Sequence, residues 1–144
     1  MNATIGIYPV DPTGTDLVTL PSAFGLTETV ERFKALLVQK NIELFAQVDH
    51  AAGARKVGLS LRPTQVLIFG NPKAGTPLMQ DRQTIGLDLP LRTLVWEDEE
   101  GKVWLTYRPV ADLARQHHIT GRDQAVKALD DGLVNLARAA TSGG

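Results

Sequence analysis

The chain has 144 residues, a length that fits a single domain large enough to bury a hydrophobic core. Its 15 basic and 16 acidic residues give a formal net charge of −1, which argues against nucleic acid or an anionic membrane surface as a partner. Because the chain has no cysteine, disulfides, thiol catalysis and thiolate metal sites are excluded.

The sequence contains no stretch close to the roughly 20 apolar residues that a membrane span needs. The N-terminal MNATIGIYPVDPTG has neither the basic region nor the apolar run of a secretory signal. We therefore expect a cytoplasmic protein that does not act in the membrane.

The first third of the chain predicts a strand, a helix and a second strand. Residues 1–14 predict a loose arm or an edge strand, and LVTLPS (17–22) predicts a short strand that ends at Pro21. Apolar residues at helical spacing predict a helix from residue 26, with Thr27 as its N-cap and Asn41 as its left-handed end. Residues 42–50 alternate, and their apolar set is expected on one face of a strand: Ile42, Leu44, Ala46 and Val48.

The middle of the chain predicts a two-turn helix followed by three strands. Asp49 is the expected N-cap of the helix and Gly58 its C′ residue. TQVLIFG (64–70) is nearly all apolar, which is typical of a central strand. Residues 91–98 and 102–108 are β-rich and joined by a polar turn, so they predict a hairpin. It would place Leu94 and Trp96 against Trp104 and Thr106 on one face, or their alternates on the other.

The last third of the chain is predicted to be helical, over residues 109–140. Pro109 suits the first position of one helix, and Thr120 is the expected N-cap of a longer one. One apolar stripe follows the longer helix, consisting of Val126, Leu129, Leu133, Leu136 and Ala140.

The main elements in chain order are β-α-β-β-β-β-α, with additional short helices. This order predicts one α+β domain over residues 1–144, with an antiparallel sheet of four or five strands and its helices on one face. This two-layer β-α-β(4)-α arrangement is a TBP-like layout. A ferredoxin-like arrangement is the alternative, but it would require a second full-length crossover helix.

The segment FGNPKAGTPLM (69–79) has the most distinctive composition of the chain. The spacing of Gly70 and Gly75 is that of a P-loop, but Thr76 and Pro77 stand where lysine and Ser/Thr are required, which argues against nucleotide hydrolysis. We expect Asn71-Pro72 to form a turn, Thr76 to cap a helix and Pro77 to begin it. A helix start with free N–H groups beside Lys73 could hold a small anion, although a purely structural turn explains the same residues.

Other polar groups carry weaker hypotheses. His50 beside Asp49 or Glu97 could act in acid–base chemistry, or Asp49 could simply cap the next helix. The adjacent His117 and His118 would point about 100° apart on a helix and could not chelate one metal ion together, so no metal site is expected.

Several blocks resemble domain-of-unknown-function family 302, a bacterial and archaeal family. The blocks are LRPT, FGNPKAGTPLM, LDLPL and VWEDEEGKVWLTY, within a core of about residues 49–107. The resemblance implies a compact β-α-β(4)-α homodimer and assigns no catalytic residue or cofactor. Its motif positions in this chain are Asp49, His50, Arg62, Pro63, Phe69, Gly70, Asn71, Pro72, Gly75, Thr76, Asp88, Pro90, Trp96 and Glu97.

The leading functional hypothesis is a homodimeric domain that binds a small anionic ligand, without a cofactor and without nucleic acid. The expected ligand-binding residues are Asn71, Lys73, Gly75 and Thr76, with His50 and Arg62 as further walls. One alternative is an enzyme that uses His50 and Asp49. Another is a protein–protein interaction module that uses the hairpin and the terminal helices.

Overall fold

The computed structural model describes residues 16–143, so the predicted N-terminal arm or edge strand at 1–14 lies outside the described residues. Five antiparallel strands form one sheet in the order β1-β5-β4-β3-β2. The strands are β1 (Val18–Pro21), β2 (Glu43–Asp49), β3 (Thr64–Gly70), β4 (Leu91–Glu97) and β5 (Val103–Tyr107).

Within the described part of the chain, five α-helices and one 3-10 segment connect or follow these strands. The helices are α1 (Leu26–Gln39), α2 (His50–Lys56), α3 (Pro72–Asp81), α4 (Val110–Gln116) and α5 (Asp123–Thr141). The 3-10 segment is Gln83–Asp88, between α3 and β4.

One hydrophobic core lies between a single face of the sheet and four of the helices. The sheet contributes alternate residues such as Leu67, Phe69 and Leu105, while α1 contributes Phe33 and α5 contributes Leu136. Phe33 and Phe69 meet edge to face at 5.2 Å between ring centroids. Because side chains alternate across a strand, the residues between them face away from the core. The predicted α+β class is confirmed, with four of the helices covering one face of the sheet.

The turn and capping residues of the sequence correctly predicted the positions of the turns and of the hairpin. Asn41 has the predicted left-handed conformation at φ 59°, and Asp49 caps α2 by accepting the N–H of Ala52. The hairpin pairs Trp96 with Trp104 as predicted. These features depend on contacts between near neighbours in the chain, so their sequence signals are sufficient.

Four predictions about element ends and faces are wrong, and one of them is Pro109, which is the N-cap of α4 rather than its first residue. Gly25 rather than Thr27 is the N-cap of α1, and Arg122 rather than Thr120 is the N-cap of α5. In β2 a register shift between Leu44 and Ala46 breaks the alternation. Leu44 pairs with the core residue Phe69, whereas Ala46 and Val48 after the bulge pair with Ile68 and Val66 on the opposite face of β3, because a bulge inserts one residue and inverts the side that follows.

Candidate functional site

The segment FGNPKAGTPLM leaves β3 and enters α3 directly. Asn71 is the N-cap of α3, and its Oδ1 accepts the backbone N–H of Lys73 at 2.9 Å. Pro72 occupies the first helical position, so the cap and the proline occur together five residues earlier than predicted. The predicted N-cap Thr76 and helix start Pro77 are wrong, since both residues lie inside the helix.

This geometry occupies the N–H groups on which the anion hypothesis for the segment rested. Pro72 has no N–H, and the N–H of Lys73 is bonded to the Asn71 side chain. The N–H groups of Ala74 and Gly75 bond to the Asn71 carbonyl at 2.9 and 3.1 Å. The start of α3 therefore offers no unpaired N–H to an anion within its first four residues.

A cavity of ≈210 Å³ lies beside the segment, and we call it the motif cavity. Asn71, Gly75 and Thr76 line it, so three of the six expected ligand-binding residues share one space. Most of its other described walls are apolar, and they include Phe45, Met79, Leu89, Pro90, Leu91 and Leu129. The cavity suits an apolar group better than a charged one.

The other three expected residues lie elsewhere. Lys73 is exposed and is not among the described residues that line the motif cavity. His50 and Arg62 lie near the end of the β2–β3 pair where Asp49 pairs with Gln65. Asn71 follows the opposite end, about 20 Å away at roughly 3.3 Å per residue along β3. The structure thus does not assemble the six residues into one site.

Asp49 and His50 do not form an acid–base pair. The Asp49 Oδ1 accepts the N–H of Ala52 at 2.9 Å, which is the capping role that the sequence offered as the alternative. His50 is the first residue of α2 and is exposed. No described residue hydrogen-bonds to its imidazole, so no partner in the described chain orients it for catalysis.

A second and larger cavity, of ≈350 Å³, lies where β4 and β5 stop pairing, and we call it the arginine cavity. Its charged described walls are Arg92, Arg108 and Asp88. Its remaining described walls are Leu17, Val66, Leu91, Leu94, Thr106, Tyr107, Leu113 and Leu133. None of its residues belongs to the set expected from the sequence.

The two arginines lie on neighbouring segments just past the last β4–β5 pair, Arg92 within β4 and Arg108 directly after β5. The last β4–β5 pair at this end is Leu94 with Thr106, and continuing the same register places Arg92 opposite Arg108. Like charges directly opposite each other destabilise a sheet. Both side chains are exposed, and neither makes a hydrogen bond or ion pair with a described residue. The cavity therefore presents two guanidinium groups that pair with no described residue, with the carboxylate of Asp88 in the same wall.

Asp88 joins the arginine cavity to a histidine. Its Oδ2 lies 2.6 Å from His117 Nε2, and His117 Nδ1 lies 3.0 Å from the Thr84 hydroxyl. The His117 side chain is 13% exposed, so this contact is largely shielded from water. Within the described residues, no three His, Asp or Glu side chains converge in a way that could hold a metal ion.

The sequence carried a signal for one part of this site only. Asp88 belongs to the LDLPL block that resembles the family. No signal related Asp88 to His117, which is 29 residues away and meets it only through the packing of α4 on the 3-10 segment.

The aromatic residues of the hairpin serve the fold. Trp96 and Trp104 stack at 6.2 Å, and their indole N–H groups donate to Thr106 and Asp98. The Trp104 N–H lowers the pKa of Asp98, together with the backbone N–H of Lys102. Since both indoles are bonded within the chain, they have no N–H left to orient a ligand.

A comparison with protein families decides the identity of the fold. The family "Domain of unknown function DUF302" matches residues 18–139. The chain belongs to the DUF302 family. A solved member, an uncharacterized conserved protein DUF302 from Bacillus stearothermophilus, is similar with a TM-score of 0.79 at 18% identity, over 86% of this chain and 97% of that one. The likeness establishes a shared fold, and the function of DUF302 is not established.

Curated relatives in Brucella share more sequence with this DUF302 chain. It is 50% identical over 117 residues to proteins named "Fluoride-specific ion channel FluC 1" from Brucella suis biovar 1 and Brucella abortus biovar 1. The match covers 81% of this chain but only 46% and 43% of those proteins, so the chain spans less than half of their length. Among residues 16–143, no helix is both long and apolar enough to cross a bilayer.

Proposed function

We propose that this DUF302 chain is a binding module for a small anionic ligand, and that the arginine cavity is the binding site. The observation that carries the proposal is that Arg92 and Arg108 line one cavity, without a described partner for either. An anion between them would turn a repulsive pair into two charge-assisted hydrogen bonds.

The proposal keeps the ligand class that the sequence suggested but changes its location. At the motif cavity the helix N–H groups are bonded to Asn71, and Lys73 is not among the lining residues. At the arginine cavity two guanidinium groups are available, and guanidinium groups bind carboxylates and phosphates in a planar, bidentate geometry.

The experiment is calorimetric titration of the purified chain with acetate, phosphate, sulfate and fluoride at low ionic strength. We expect at least one of these anions to bind. Arg92→Gln and Arg108→Gln are each expected to weaken binding about tenfold or more, because a hydrogen bond to a charged group contributes about 1.5–3 kcal/mol.

The matched controls are Lys73→Gln and Arg62→Gln, which remove one positive charge each from residues outside the arginine cavity. Both variants should retain wild-type affinity within the error of the titration. The proposal is wrong if no anion binds, or if Lys73→Gln or Arg62→Gln loses as much affinity as the two cavity variants.

A second candidate function is a role beside a fluoride channel, and the Brucella relatives favour it. A chain half identical to this DUF302 domain lies within proteins that carry the fluoride channel name. Fusion of two activities in one chain is typical of proteins that act in one process. We propose fluoride handling as that process, with the domain either sensing fluoride or contacting the channel.

The test is growth in a fluoride series of a host that lacks this DUF302 gene, compared with its parent and with the complemented strain. Lower fluoride tolerance, restored by the wild-type gene, is the expected result. Equal tolerance in all three strains would rule the role out. Fluoride in the titration above separates direct sensing from contact with a channel.

We also propose that two copies pair through one exposed apolar region. Seven large hydrophobic residues are exposed in residues 16–143, and five of them fall between β2 and the start of β3. They are Phe45, Val48, Val57, Leu59 and Leu61, and we call them the apolar edge. Because β2 is an edge strand, its free backbone groups lie beside these side chains and could pair with a second copy.

The oligomeric state can be measured by light scattering after size exclusion. We expect a dimer for the wild type and a monomer for Leu59→Lys combined with Val48→Lys, since two buried charges would oppose the contact. Val38→Lys is the control, because Val38 is 78% exposed but belongs to α1. A monomeric wild type, or a dimer that survives the double variant, contradicts this pairing.

A further inference from the structure

We infer that the ligand of the arginine cavity is an organic monoanion with an apolar body, rather than a bare inorganic ion. This inference rests on the proposed function, because it describes the ligand of the same site. Three observations support it: the aliphatic residues that line the cavity, the sum of the charges in its wall, and a neighbouring apolar cavity beside α5.

The arginine cavity is charged on one part of its wall and apolar on the rest. Beside Arg92, Arg108 and Asp88, its described lining contains six aliphatic residues: Leu17, Val66, Leu91, Leu94, Leu113 and Leu133. A bare ion would pair with the guanidinium groups and leave this aliphatic surface in contact with water. An apolar body attached to the anion would displace that water, which is favourable in proportion to the area covered.

The charges of the cavity favour a single negative charge on the ligand. Arg92 and Arg108 bring two positive charges, and the carboxylate of Asp88, held by His117, brings one negative charge. With a neutral His117 these three groups sum to one positive charge, which a monoanion such as a carboxylate balances. A phosphate dianion would bring its second charge close to Asp88, where like charges repel.

The apolar lining continues past the arginine cavity towards α5. A neighbouring cavity of ≈270 Å³ shares Leu91 and Leu133 as walls, and we call it the helix cavity. Its other walls include Ile42, Phe69, Ala128, Leu129, Gly132 and Leu136. The inference requires the two cavities to join beside Leu91 and Leu133, so that an acyl chain with its carboxylate at the arginines meets further apolar surface on the far side of Leu91.

Gly132 supports this direction for the apolar body. It lies inside α5 and lines the helix cavity, and a Cβ added there would have no heavy atom within 4 Å. Glycine is disfavoured inside a helix, and neither a close contact nor a positive φ requires it at this position. Because Gly132 has no side chain, the helix cavity is larger than it would be with alanine or leucine at this position.

The test is calorimetric titration of the wild-type chain with straight-chain monocarboxylates from acetate to octanoate, beside phosphate and fluoride. Each added methylene is expected to tighten binding about fourfold until the cavities are filled, from the usual transfer free energy of a buried methylene. Phosphate and fluoride should bind more weakly than hexanoate.

Two variants separate the charged end of the site from its apolar end. Arg92→Gln should lower the affinity for every carboxylate of the series by a similar factor. Gly132→Leu should lower the affinity for octanoate at least tenfold and affect acetate much less, with circular dichroism to verify its fold. The wild-type series decides the question by itself if that variant does not fold.

The outcomes distinguish this inference from the function on which it rests. Anion binding that is lost in Arg92→Gln but is independent of chain length would refute the inference and leave the proposed function standing. Binding of none of the probes would refute both. If affinity rises with the chain length of the carboxylate but Arg92→Gln does not lower that affinity, the ligand binds outside the arginine cavity. This result would also refute the inference.

Discussion

The imidazole of His117 at the end of α4 and the carboxylate of Asp88 at the end of the 3-10 segment meet at 2.6 Å. This contact fixes the position of a carboxylate that lines the arginine cavity. The second imidazole nitrogen, Nδ1, is hydrogen-bonded to the Thr84 hydroxyl at 3.0 Å. Both nitrogens of the ring therefore have a partner.

His117→Asn is expected to lower the free energy of unfolding by about 1–2 kcal/mol, because a shorter side chain cannot span both partners and leaves a half-buried polar group unpaired. Urea denaturation measures the change. The neighbouring His118→Asn is the control, since His118 is exposed and its φ of 57° is one that asparagine tolerates. Equal losses in the two variants would contradict the role of the His117–Asp88 contact.

The start of α3 can be located by comparing two capping substitutions. Asn71→Ala should cost about 1 kcal/mol of stability, because the N–H of Lys73 loses its side-chain acceptor. Thr76→Ala should be neutral or slightly stabilising, because Thr76 lies within the helix and alanine is the better helix former. The reverse order of the two effects in thermal denaturation would indicate that the helix begins at Thr76.

Two glycines in open surroundings should respond to alanine with opposite signs. Gly132→Ala is expected to stabilise the chain by about 0.5–1 kcal/mol, since it is helical and nothing opposes a Cβ there. Gly101→Ala in the β4–β5 turn is expected to destabilise it, because its φ of +83° strains any residue with a side chain. Both effects can be read from urea midpoints, and stabilisation by both substitutions would contradict the assigned turn.

Asp130 links α5 to the start of α4. Its two carboxylate oxygens accept the N–H groups of Val110 and Ala111 at 2.6 and 3.0 Å. Removing both acceptors in Asp130→Ala should therefore cost about 1–2 kcal/mol, as for the loss of a helix cap. Denaturation at neutral pH measures this loss.

Asp130 also predicts a pH dependence of stability. Burial raises the pKa of its carboxyl above the usual value of 3.8, although the two N–H donors act in the opposite direction. The folded state then holds the proton more tightly than the unfolded state. Its contribution to stability is greatest below pH 3.8 and is lost as the pH rises through the folded-state pKa.

Asp130→Asn removes this titration and keeps an oxygen that can accept one of the two N–H groups. The wild type should lose stability relative to Asp130→Asn as the pH rises above 3.8, measured by urea denaturation between pH 3 and pH 7. Glu99→Gln makes the same charge change at an exposed residue of the β4–β5 turn and corrects for net charge. If the difference in stability between the wild type and Asp130→Asn does not vary with pH, burial does not raise the pKa of Asp130.

Periodicity and turn chemistry determined most of the secondary structure. The strand at residues 64–70, the hairpin register and the left-handed Asn41 depend on neighbours in the chain, which is why their patterns were sufficient. The α+β class followed from the order of these elements. The ends of helices were less certain, because an asparagine followed by proline and a threonine followed by proline satisfy the same capping rules within one segment.

The tertiary structure decided which polar groups share a site. Asn71 and His50 belong to neighbouring segments of sequence, but they lie at opposite ends of the β2–β3 pair, because an extended strand separates its ends by about 3.3 Å per residue. Asp88 and His117 are distant in sequence and meet through helix packing, which no local pattern encodes. The sequence thus determined the strands and helices of this chain, while the packing of α4 and α5 on one face of the sheet decided where its charges converge.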